Sequence, residues 1–116
     1  MARNDYYVIA YLILSYLYEC LKAGVEPDIE QIKHDAPNIN IPYSYWTYIL
    51  KHLYQDNYVE GLHIVKTIGG GDGDGVKFEP NFMITPKGIE YLDDNTTMVR
   101  AKDFVMKMSC IAPWFT

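Results

Sequence analysis

From Tyr6 to Tyr18 the chain is apolar or aromatic at nearly every position, and this run constrains the fold more than any other feature. Asn4 or Asp5 can cap a helix here, and Gly24 can stop it near Ala23. Val8, Ile9, Leu12, Ile13, Leu14, Tyr16, Leu17, Cys20 and Leu21 cover most of the circumference of that helix. A helix apolar nearly all round must be buried on two sides. The run is 13 residues long and is broken by Glu19 and Lys22. A bilayer requires about 20, so the helix is expected to sit in a core and not in a membrane.

The second cover has to come from a C-terminal helix or from another subunit. With 116 residues, 49% hydrophobic and 22% charged, the chain suits one domain over residues 1–116 with a single core. Asn95 or Thr96 starts a last helix on which Met98, Ala101, Val105 and Met108 recur at spacings of three and four, widened by Phe104 and Ile111. The seven-residue pairs Met98–Val105 and Ala101–Met108 lead us to expect a homodimer held by the first and last helices, with residues 95–116 as the dimerisation element. The alternative is that these helices pack on each other within one chain. Cys20 and Cys110 lie far apart in apolar contexts with no metal spacing, so two reduced buried thiols are expected. No signal peptide precedes the apolar run, and a cytoplasmic protein is expected.

Asp28 stands near the start of a short second helix that must end before Pro37. Pro42 then opens a third. Trp46, Ile49, Leu50 and Leu53 make its buried stripe, while Tyr43, Ser44, Tyr45, Thr47, Tyr48 and Lys51 are assigned to the opposite face. No acid occurs between Asp35 and Asp56, although the chain carries a net charge of −5. Asn57 turns the chain in a left-handed conformation. Strands follow at about 58–65 and 76–84, with Pro80 marking a break or a bulge. The intervening Thr67–Phe78 stretch, TIGGGDGDGVKF, lacks the lysine of a phosphate loop and the closing glutamate of a calcium loop. It is expected to be a hairpin tip that binds no metal.

The order helix, helix, helix, hairpin, helix, helix is that of an α+β, mainly α, winged helix–turn–helix. In this reading residues 1–94 form the core, and the wing lies at about 58–84. The stretch Ile84-Thr85-Pro86-Lys87-Gly88-Ile89-Glu90-Tyr91-Leu92 resembles the motif (L/I)T-x-K-G-x-x-Y-L, which follows the wing in many small bacterial and phage proteins. With its C-terminal helix, the chain resembles the YjcQ family of Firmicutes and their phages over roughly Tyr7 to Lys107. The resemblance implies a winged-helix fold. The wider superfamily implies double-stranded DNA as partner and a regulatory role, on fold-level analogy. The third helix would then offer Tyr43, Ser44, Tyr45, Thr47, Tyr48 and Lys51 to the duplex, with Lys66 and Lys77 of the wing on its backbone. The acidic balance, the absence of arginine from that helix, and Asp72 and Asp74 in the wing favour the alternative, a protein-docking module. His34, His52 and His63 fall on three elements with no nucleophile or carboxylate spaced to make a triad or a metal site, so neither an enzyme nor a cofactor is expected.

Overall fold

The computed structural model describes residues 1–66 and 74–108. The glycine-rich tip from Thr67 to Gly73, with Asp72, and the tail from Ser109, with Cys110 and Ile111, lie outside the described residues. The elements are helix α1 (Tyr6–Ala23), a 3-10 turn (Ile29–Gln31), helix α2 (Tyr43–Gln55), strands β1 (Val59–Lys66) and β2 (Asp74–Ile84), and helices α3 (Pro86–Asp94) and α4 (Thr96–Lys107). The fold is α+β and mainly helical, with one two-stranded antiparallel sheet.

The Asp5 carboxylate caps α1 by accepting from the Tyr7 amide, and Gly24 ends it at φ 70°. Between these caps Val8, Ile9, Leu12, Ile13, Leu14 and Leu17 are fully buried. Four elements cover them: α4, β2, α3 and α2 all pack on α1. Met98, Ala101 and Val105 of α4 are buried in that same core. The apolar spacing that suggested a homodimer is therefore satisfied inside one chain.

The second helix expected after Asp28 is only the 3-10 turn. Asp28 does cap it, accepting from the Glu30 amide. From there to Ile41 the chain proceeds through turns, with Asn40 left-handed at φ 45°. Ile32, Ala36, Ile39 and Ile41 are nonetheless buried. Burial of these four side chains and the bond from Trp46 Nε1 to the Ile32 carbonyl hold this connection, contacts that reach across the fold and not along one helix.

At the end of α2, Asn57 takes φ 64° and reverses the chain into β1. The register pairs Val59 with Ile84 and Glu60 with Met83, then shifts and pairs Leu62 with Phe78 through to Lys66 with Asp74. The extra residues on β2 include Pro80, a break that suits a residue unable to donate to the ladder. Opposite them Gly61 adopts φ 77°, and a Cβ there would lie 2.6 Å from the Phe82 nitrogen. Only glycine tolerates both demands.

Candidate functional site

The acid-free helix α2 carries the face singled out by sequence, and the structure divides its residues into two groups. Trp46, Ile49, Leu50 and Leu53 are buried, with Trp46 only 3% exposed. Outward lie Ser44, Tyr48 and Gln55, with Lys51 half-buried between them. Their spacings of four, three and four put them on one line along the helix. Every member can hydrogen-bond and none is acidic.

Two assigned residues do not belong to this line. Thr47 is 6% exposed, and its hydroxyl donates to the Ser44 carbonyl at 3.0 Å. It lies one step round the helix, on the edge that meets the core. Tyr45 is half-buried, and its hydroxyl donates to the Asn4 carbonyl at 2.8 Å. It fastens the N-terminal segment to α2. Tyr43 is 48% exposed but is also structural. Its ring lies 5.3 Å from His34 and 5.7 Å from Trp46. A Cβ on Gly75 of β2 would be 3.4 Å from the Tyr43 hydroxyl.

Tyr48 is the most exposed tyrosine of the helix at 55%. Its ring lies 4.4 Å from His52 and 6.3 Å from Tyr6, which in turn meets Tyr7 edge-on at 5.1 Å. Burial, reinforced by Tyr91, Asp56, Tyr48 and Tyr7 nearby, pushes the Tyr6 phenol far above its ordinary value. Tyr6 is therefore a neutral wedge between α1 and the outer face of α2.

The two lysines assigned to the hairpin are separated by its register. Leu62, Ile64 and Lys66 alternate with His63 and Val65, and Lys77 stands directly opposite His63. Alternation places Lys66 and Lys77 on opposite faces of the sheet. Lys66 shares the face of Leu62 and Phe78, and Phe78 lies 6.0 Å from Trp46 of α2. Lys77 shares the other with His63, whose Nε2 is 2.6 Å from Glu79 Oε1. Both faces approach α2, the Lys66 face through Phe78 and Trp46 and the Lys77 face through Gly75 and Tyr43.

Arg3 was missed by sequence reasoning. Its guanidinium donates to the Pro37 carbonyl at 2.8 Å, and the Tyr45–Asn4 bond holds the neighbouring backbone. These contacts bring a cation beside the start of α2 across 34 residues of sequence. No local signal announces so long-range a placement. Gln55, by contrast, could have been found by extending the line Ser44–Tyr48–Lys51 by one more turn.

Among the described residues no three His, Cys, Asp or Glu side chains group as metal ligands would. No described helix is long and apolar enough to cross a membrane.

Fold and site together define a small, mainly helical α+β protein that presents one acid-free helix beside a hairpin. The family model described as "YjcQ protein" matches residues 11–108, and the chain belongs to the YjcQ family. No curated protein and no solved structure matches it.

Proposed function

We propose that the chain is a winged-helix protein that binds double-stranded DNA as a non-enzymatic transcriptional regulator, in a bacterial or prophage setting. Helix α2 acts as the recognition helix and the β1–β2 hairpin as the wing. One observation carries this reading: Ser44, Tyr48, Lys51 and Gln55 form a single hydrogen-bonding, acid-free line on the outer face of α2 in a chain of net charge −5. A glutamine can pair with adenine in the major groove, and serine, tyrosine and lysine can meet base edges or phosphates. Arg3 beside the start of α2 and exposed Lys66 at the end of β1 supply flanking phosphate contacts.

The test is retardation of sheared host DNA across a salt series. Three cations (Arg3, Lys51, Lys66) at roughly −0.9 per phosphate give an expected slope of about −3 per chain. Lys51→Glu should weaken binding and flatten the slope. Tyr48→Ala should weaken binding with little change of slope, because a tyrosine releases no counterion. No retardation at about 50 mM salt would overturn the reading.

A second reading is favoured by a separate observation: Tyr7, Tyr43, Tyr48 and Tyr54 are all substantially exposed. All four lie on α2 or at the start of α1, and tyrosine is enriched at protein interfaces. A docking module would leave DNA unshifted, lose its partner on Tyr48→Ala, and scarcely respond to Lys51→Glu.

A further inference from the structure

A surface of different chemistry lies where α3 meets the turn after α2. The left-handed Asn57 delivers Tyr58, and α3 brings Lys87, Glu90, Tyr91 and Asp94 to one side at spacings of three, one and three. The Tyr58 and Tyr91 rings stack at 4.2 Å with 13° between their planes. With Asn95, these residues line an open cleft of about 320 Å³. The cleft is open to solvent along its length, which suits one long side chain laid across it from outside.

The charges at the cleft are unequal. Glu90 and Asp94, both exposed, stand one helical turn apart on its wall. Asp56 lies close enough to oppose ionisation of both Tyr58 and Tyr91. Lys87 is the single cation among the lining residues, and its Nζ sits 5.5 Å above the centre of the Tyr58 ring. The chain thus already places an ammonium on that ring face, at the distance where the ring quadrupole attracts a cation. Two carboxylates against one lysine leave a negative surplus, which an added cation would neutralise. The same surplus repels phosphate, so nucleic acid is the wrong occupant.

We propose that this cleft takes a lysine side chain presented by a basic segment of a partner protein, its ammonium over the Tyr58 ring and between the Glu90 and Asp94 carboxylates. Lys87 holds the place in the free protein and is displaced on docking. The inference is independent of what binds α2.

The probe is a short peptide of alternating lysine and glycine, titrated into the intact chain and followed by amide chemical shifts. Its acetyl-lysine counterpart is the neutral control. Shifts are expected at Tyr58, Glu90, Tyr91, Asp94 and Asn95. Glu90→Gln with Asp94→Asn should weaken binding by about tenfold. Lys87→Met should tighten it by about threefold, because the internal competitor is gone. A gain cannot come from misfolding, and Lys33→Met controls for the change in net charge. The proposal is overturned if the acetylated peptide binds equally well, or if Glu19, Glu26 and Glu30 shift as strongly as the cleft. It also fails if Lys87→Met binds no tighter than Lys33→Met.

Discussion

Trp46 concentrates at one residue what attaches α2 to the rest of the chain. Its Nε1–H donates to the Ile32 carbonyl at 2.9 Å, and its ring meets His34, Tyr43 and Phe78 at 5.7–6.0 Å. The connection after the 3-10 turn, the helix and the hairpin therefore share one side chain. Trp46→Ala should cost about 3–5 kcal/mol, a large part of the stability of a small domain. Trp46→Phe keeps most of the area but leaves the Ile32 carbonyl without its donor, so about 1–3 kcal/mol is expected. Urea unfolding of both variants checks the order, and a folded Trp46→Ala protein of unchanged midpoint would contradict it. The helical period that placed Trp46 inward also placed Ser44 and Tyr48 outward. It failed at Thr47, because a position on the edge of the buried arc is assigned by the neighbouring elements and not by spacing.

The Thr85–Leu92 motif, which carries the family resemblance, owes its residues to the way α3 begins. Thr85 accepts from the Gly88 amide as the cap of α3. Its hydroxyl also donates to the Asn57 carbonyl, and its amide to the Tyr58 carbonyl. A Cβ on Gly88 would run into that same Tyr58 carbonyl and into the Ile84 side chain. Threonine and glycine thus lock the start of α3 against the turn that launches β1. The motif is a clamp. Thr85→Val should cost about 1 kcal/mol as a lost cap, and more where the Asn57 contact goes too. Gly88→Ala should cost more than the few tenths ordinary for a surface helix site, since backbone has to move. Thermal melts of the two variants test the ranking, and Gly88→Ala melting with the parent would refute the clamp.

Oligomeric state and alkaline stability both depend on how the elements cover one another. With α1 covered by four elements of its own chain and the α4 stripe buried on it, sedimentation should report a 13.4 kDa monomer. A concentration-dependent dimer would need another surface, such as exposed Val99 and Met106. Burial foremost holds Tyr11 and Tyr91 near 12 in the folded chain, against an ordinary value of 10.0. Below pH 10 both states keep these phenols protonated, and the full stability is present. Between pH 10 and 12 the unfolded chain gives up protons that the folded chain retains, so stability must fall as pH rises. Denaturant midpoints that stay level across this window would show the two rings to be more open than described.

By itself the sequence determined the local punctuation and the inward stripes. Asp5, Gly24, Asn57, Thr85 and Asn95 cap or turn the chain as their chemistry demands, because such signals act over a few residues. The strength of α1 as a core helix was equally plain, since no arrangement could leave such a segment in water. What the sequence left unplaced or misplaced shares one cause. A 3-10 turn in place of a second helix, the inward turn of Thr47 and Tyr45, the opposite faces of Lys66 and Lys77, and Arg3 beside α2 all depend on partners remote in sequence. So does the choice of α4 over a second subunit as the cover for α1. Only the tertiary structure decides these, because burial and strand register are properties of the assembled chain.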